Sequence, residues 1–310
     1  MNLKIRILLI VVVPLLLTGC EKYSTVEIAD ENFLQALIDR GVDTDGDGSI
    51  SFGEAADVKE LNVYYCDIFD LSGLEWFVNL ETLRCGNNEF TKIDVSQNKA
   101  LKYLDIAHNK VLHLDVSENT SLESLIAMYN PLTSLDLSGN TALRYLNTES
   151  VPLNNLDISR NLMLTGVNCW GNGLTSLDIS KNAALEQLNC NSNHLTSLDL
   201  SNNPALEILM CEYNDLETLD LSENPVLTGL LCSDNELTSI NISGCDLLES
   251  LNCGYNQLTT LDLTSNSKIN RLAIDHMPSL TKVCVWVMPF PVSAYTDGSP
   301  NFYFTTDCSK

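Results

Sequence analysis

The sequence predicts a solenoid of short parallel strands with little helix, headed by one short helix and a metal-binding loop. Its main support is internal repetition: from Leu80 the chain repeats every 21 residues, with unit starts at Leu80, Leu101, Leu122 and onward to Ile269, ten units over 80–289. Within a unit the leucines keep fixed places, as at Leu206, Leu209, Leu216, Leu219 and Leu221, so every coil turns the same edges inward. Composition agrees. The 310 residues carry 17 Lys+Arg against 41 Asp+Glu, a formal charge of −24, yet 45% of them are apolar. That is too much core for a disordered acidic chain, and too little positive charge for a nucleic-acid binder. Length alone suggests about two domains; the repeat replaces them with one array.

Residues 1–19 read as a signal peptide. Lys4 and Arg6 form a basic start, and Ile7–Leu17 is an apolar run too short to span a bilayer as a helix. The run ends in Leu17-Thr18-Gly19-Cys20, which resembles a bacterial lipobox. The resemblance implies that Cys20 becomes the lipidated first residue of a mature chain at −26, two basic residues having been lost. Several acyl chains give stable anchoring without a spanning helix. Glu21 follows, where an Asp would hold such a lipoprotein on the inner membrane, so the analogy implies the outer membrane. A lipidated linker then covers 20–27.

Residues 28–57 hold a helix and a loop. Asp30 is the expected N-cap, Phe33, Leu34 and Leu37 the apolar stripe, and Gly41 the stop. The stretch from Asp43 to Glu54 matches an EF-hand calcium loop at its diagnostic positions. Asp43, Asp45 and Asp47 supply hard oxygens, Ser49 its backbone carbonyl, Ser51 a ligand directly or through water, and Glu54 two closing oxygens. Four carboxylates this close repel one another until a cation neutralises them. A sensor usually pairs two such loops; a single one reads as a structural Ca2+ clasp.

Residues 58–79 look like an irregular first coil, and 290–310 like a C-terminal cap. Each 21-residue unit between them nests two signatures, LxxLxCxxNxL and LxxLxLxxN, as from Leu206 to Asn224. The pattern resembles the nested leucine-rich-repeat class of bacterial proteins sometimes called IRREKO. Lipobox, calcium loop and repeats together resemble a surface lipoprotein of Bacteroides-type bacteria. The resemblance implies a leucine-rich-repeat solenoid, anchored in the outer membrane and displayed at the cell surface.

Two asparagine columns recur, one from Asn98 to Asn266 and one from Asn88 to Asn256, where side-chain amides can satisfy backbone groups freed by the turns. Cys245 stands in the first column. Val151 and Met277 break the second, and looser turns are expected there. Cys85, Cys169, Cys190, Cys211, Cys232 and Cys253 share a position held elsewhere by Ile106, Ala127, Thr148 and Ile274, which asks for a small buried group. Parallel Cβ vectors in such a column disfavour disulfides. Cys284 and Cys308 lie outside it and are the expected disulfide of the cap.

The second strand expected in each coil repeats almost verbatim, as in Thr175-Ser176-Leu177-Asp178-Ile179-Ser180, and carries an outward Asp column from Asp94 to Asp262. The first strand's outward positions vary instead. Tyr103, Met128, Tyr129, Tyr145, Trp170 and Tyr213 make that face the candidate binding surface for a protein or glycan. Catalysis lacks a motif: His108, His113, His194 and His276 are scattered, with no metalloprotease, serine-elbow or phosphate-loop pattern. The expectation is a monomeric, non-catalytic adhesion or interaction protein with structural calcium. The alternative is a periplasm-facing scaffold or accessory subunit of an envelope complex.

Overall fold

A computed structural model of the chain describes residues 25–308. The segment 1–19 read as a signal peptide, and Cys20, lie outside the described residues. Helix α1 spans Glu31–Asp39. Its cap does two jobs: Asp30 Oδ1 accepts the N–H groups of Asn32 and Phe33, at 2.8 and 3.0 Å, while Oδ2 accepts those of Phe69 and Asp70. The second pair fastens the helix to the first coil. Phe33 and Leu37 are fully buried against that coil's end, and Gly41 leaves the helix at φ +75°.

The calcium-type loop follows and runs into a second short helix, α2, at Phe52–Asp57. Sequence reading did not anticipate α2. Its signal is the capping box: the Ser51 side chain accepts Glu54 N–H, and Glu54 reaches back to Ser51 N–H. Ile50 is buried, and its carbonyl accepts the Val26 N–H at 2.7 Å. Thr25 and Ser51 complete an antiparallel bridge. The segment leading into the domain thus pairs with this lone loop.

The rest is a stack of coils. Twelve strands, from Glu60–Asn62 to Ala294–Tyr295, form one parallel sheet in which neighbours in space follow each other along the stack. The register is the repeat made physical: Tyr103 sits beside Ser124, and Ser124 beside Tyr145. At the two ends the step is one residue longer, Glu60 facing Thr82 and Leu272 facing Ala294. The segment 58–79 therefore contributes a strand in full register, and 290–308 continues the stack while covering it. The insertions hide both coils from a strict 21-residue alignment.

Each strand is short because the coil must turn at once. Its middle residue points into the core, as Leu104, Leu125, Leu188 and Leu209 do. The flanking leucines close a continuous apolar rod that also takes in α1 through Phe33 and Phe77. The expected second strand differs. Among the described residues it is formed only at Thr218–Asp220, Ser239–Asn241, Thr260–Asp262, Lys282–Cys284 and Tyr303–Thr305. In earlier coils the same segments form no ladder, so the long sheet carries the inter-coil pairing there.

The asparagines hold the turns. In the first column, Asn182 Nδ2 donates to Ile158 and Asn161 carbonyls of the previous coil, at 3.1 and 3.0 Å. In the second, Asn193 bonds through both ends of its amide, accepting from Asn172 and Leu174 N–H and donating to the Cys169, Cys190 and Asn191 carbonyls. Met277 does not loosen its turn: the Ser299 hydroxyl accepts from Met277 N–H and donates to the Ile274 carbonyl.

Candidate functional site

The loop residues sit where the chain turns toward α2. Asp43, Asp45 and Asp47 each offer an oxygen within 4.8 Å of the others. Gly48, at φ +82°, makes the sharp turn and donates its N–H to Asp43 Oδ2 at 2.9 Å. Ser49 Oγ donates to Asp47 Oδ1 at 2.6 Å. Glu54 is turned elsewhere: one oxygen accepts Thr44 N–H and Oγ, the other Ser51 N–H and Oγ. Burial would raise its carboxyl, but the Thr44 and Ser51 bonds outweigh that and hold it near 2. Three convergent carboxylates suit a hard cation. Glu54 and the Ser51 hydroxyl would join them by giving up their present bonds to each other.

The variable face of the long sheet contains Tyr103 and Tyr145 on strands, Tyr103 half-buried and Tyr145 exposed. Met128 and Trp170 lie two residues past their strands, Ser124–Ile126 and Gly166–Asn168. Tyr129 and Tyr213 are not strand residues: both occupy left-handed backbone at φ +55° in the turn that follows. They belong to a column that includes Tyr65, His108, Tyr255 and His276, each exiting its coil at positive φ. Side chains rarely accept this geometry. Ring stacking between coils accompanies it, His108 on Tyr129 at 4.4 Å and Tyr255 on His276 at 4.1 Å. The signal in sequence is position: His108, Tyr129, Tyr213 and Tyr255 each precede an asparagine of the second column, as Tyr129 precedes Asn130, while Tyr65 precedes Cys66 and His276 precedes Met277.

Two polar positions at the ends of these strands are closed. Asp105 is 5% and Asn147 8% exposed. The Tyr64 ring lies across Gly86, where a Cβ would meet it at 2.4 Å, and Tyr64 OH donates to Asp105 Oδ2 at 3.0 Å. Burial pushes the Asp105 carboxyl up, opposed by that bond and by the Ala107 N–H. Tyr64 is missed in sequence because it sits in the coil with the shifted spacing. Between Tyr145 and Met210, bare backbone at Gly166 leaves a groove of about 140 Å³.

The other face is structural. Each Asp of its column accepts the N–H two residues on, as Asp178 from Ser180 at 2.9 Å, and Asn241 does the same for Ser243. The Ser180 bonds hold the Asp178 carboxyl below the usual range. The six column cysteines and Cys245 are free and buried. Burial pushes the thiols of Cys169, Cys211 and Cys253 to about 12, so they are poor nucleophiles. Cys284 and Cys308 form a disulfide with Cα atoms 5.7 Å apart. Among the described residues no helix is long and apolar enough to cross a membrane.

No family model matches the chain, and no curated protein matches its sequence. Solved structures do. The functional domain of InlJ from Listeria monocytogenes, which includes a cysteine ladder, is 34% identical, with a TM-score of 0.75, covering 81% of this chain and 56% of that one. The chain thus spans little more than half of that structure. A leucine-rich-repeat protein of Leptospira interrogans is 18% identical at a TM-score of 0.65, with 82% and 81% of the two chains covered. An internalin (inlF) from Listeria monocytogenes is 18% identical at 0.64, with 91% and 96% covered. With the repeats and the parallel stack, these likenesses establish the fold as a leucine-rich-repeat solenoid.

Proposed function

We propose that the chain is a non-catalytic binding protein, lipid-anchored through Cys20 at the outer surface of a bacterial cell, which recognises a protein or glycan on the long-sheet face. The observation that carries this is the contrast between the two faces. One repeats Thr-Ser-Leu-Asp and spends its Asp column on the turns; the other presents exposed rings that change from coil to coil. Tyr129, Tyr145 and Trp170 are each more than a third exposed. Aromatic groups left in water on a rigid sheet are the usual anchors of recognition. The likeness to an internalin and to the InlJ functional domain supports a binding role without specifying a ligand.

In this reading Asp43, Asp45, Asp47, Ser49, Ser51 and Glu54 hold a structural Ca2+. The ion would neutralise the loop and stiffen the bridge to Thr25 and Val26, next to the proposed anchor. The test is capture of partners from cell extract in millimolar calcium, by wild type and by the triple variant Tyr129→Ala/Tyr145→Ala/Trp170→Ala. The variant should remain folded and lose its partners; unchanged capture refutes the assignment. Protease treatment of intact cells should remove the protein. Survival would point instead to a periplasm-facing scaffold.

A further inference from the structure

From Asn182 to Ser267 the chain has thirteen carboxylates and no Lys or Arg. Nearer the N-terminus, acidic groups find cations within the chain: Glu81 meets Lys102 at 2.6 Å and Lys59 at 3.8 Å, and Glu118 meets Lys99 at 2.9 Å. In the later stretch the sole ion-pair contact among the described residues is His194 with Asp215, at 3.7 Å. The molecule is therefore divided along its axis. The coils of residues 182–267 carry negative charge that their own residues leave uncompensated, with Lys268 and Arg271 the next cations along the chain.

On the long-sheet face this charge frames an apolar strip. Ile208, Met210 and Leu231 are half-buried on two adjacent strands, with Met210 directly beside Leu231. One margin carries exposed Glu186, Glu207 and Glu249, each at the residue just before a strand. Glu212 lies on the other margin, two residues past Met210. Its carboxylate is fixed by neutral donors alone: Asn191 Nδ2 at 3.3 Å, Ser233 Oγ at 2.9 Å and Asn252 Nδ2 at 3.0 Å. These bonds orient a full negative charge beside the strip and bring no positive one.

We propose that this part of the face binds a basic, amphipathic segment of a partner protein, its apolar side chains on Ile208, Met210 and Leu231 and a Lys or Arg on Glu212. The proposal rests on the long sheet being the binding face. An acidic partner would meet repulsion along both margins, and a neutral one would desolvate carboxylates without replacing their water. A basic chain with no apolar groups would leave the strip in water.

The experiment uses the full chain in millimolar calcium and three synthetic peptides, alternating Leu/Lys, Leu/Glu and Ser/Lys, read by fluorescence anisotropy at low and high salt. Leu/Lys should bind most tightly, and more weakly as salt rises. Glu212→Gln/Glu249→Gln should weaken it at least about tenfold. Glu217→Gln/Glu223→Gln, the same charge change on the opposite half of the coil, should alter it by less than about twofold. Equal losses in the two variants, or Leu/Lys binding no tighter than the other peptides, overturns the proposal. A partner captured from extract through Tyr129, Tyr145 and Trp170 but indifferent to Glu212→Gln/Glu249→Gln also overturns it, while leaving the binding face standing. Capture indifferent to both sets of changes removes both.

Discussion

The two asparagine columns look equivalent in sequence, yet the structure predicts that their truncation differs several-fold in cost. Asn193→Ala removes the acceptor of two buried N–H groups, Asn172 and Leu174, at 3.1 and 2.9 Å. It also removes a donor from the Cys169 carbonyl at 3.0 Å. Three buried backbone groups lose a partner, each at about 1–3 kcal/mol, so the expected loss is at least about 3 kcal/mol. Asn182→Ala also deletes two bonds, but the Ile158 carbonyl keeps the Asn161 N–H and the Asn161 carbonyl keeps the Leu164 N–H. The Asn182 Oδ1 removed with them is buried and lacks a partner. Losing that burden offsets part of the damage, leaving about 1 kcal/mol. Cys245 is a natural precedent in this column, holding the Leu221 carbonyl with a single 3.3 Å thiol contact. Urea unfolding gives the totals, and native-state hydrogen exchange places the loss in the coils between Cys169 and Asn193. Equal costs, or a larger cost for Asn182→Ala, would refute this account of the turns.

Removing calcium with a chelator should lower the melting temperature, and Glu54→Gln should abolish that difference; at about ten times the dissociation constant, bound calcium adds about 1.4 kcal/mol. A chain that melts identically with and without calcium would exclude the clasp. Gly86→Ala would put a Cβ 2.4 Å from the Tyr64 ring, so it should displace the ring, uncover Asp105 and cost about 1–3 kcal/mol by urea unfolding. A silent substitution would mean the ring is not seated there. The buried thiols of Cys169, Cys211 and Cys253 are raised to about 12 from an ordinary value of 9.0. Because the folded value is the higher one, their contribution is intact below pH 9 and is lost as pH climbs toward 12. Alkaline unfolding should therefore move to higher pH in Cys169→Ala/Cys211→Ala/Cys253→Ala, relative to that variant's own stability at pH 7; an unmoved profile would mean the thiols ionise in the folded state.

The stack was legible because every coil makes the same demand: Leu209 and Leu230 face the same neighbours, so the sequence repeats the answer. The cysteine column was readable for the same reason, since Ile106 and Ala127 show what size the position takes. What escaped was set by geometry between coils. The strand at Glu60–Asn62 is offset by 22 residues, which concealed Tyr64 and its lid over Asp105. Tyr129 and Tyr213 were read on the strand, because propensity gives a tyrosine no reason to adopt φ +55°. Their placement belongs to the turn of the coil and not to the residue that follows, since His276 takes φ +52° before Met277 and Ser150 takes φ +55° before Val151. Glu54 shows the reverse limit. Its place in the loop was clear, whereas its bonds to Thr44 and Ser51 depend on the unforeseen helix it caps.

The acidity of the chain separates into two physical roles. Along the Thr-Ser-Leu-Asp face a carboxylate is spent in nearly every coil on the N–H of the next turn, and Asn241 shows that a neutral oxygen does the same work. A charge is therefore not needed there for structure. Asp at these positions adds solubility to a long apolar rod, at the modest cost of repulsion across water. Glu212 is a different case: it sits on the varying face, uses its full charge against neutral donors, and repeats in no other coil except as Glu149. Glu149 itself accepts the Tyr129 hydroxyl at 2.8 Å, where the exposed rings begin. A scaffold that needed only to stack would not place oriented carboxylates beside exposed tyrosines at two levels of the same sheet. Those two levels are where the solenoid departs from its own rule, and they lie on the face proposed to bind a partner.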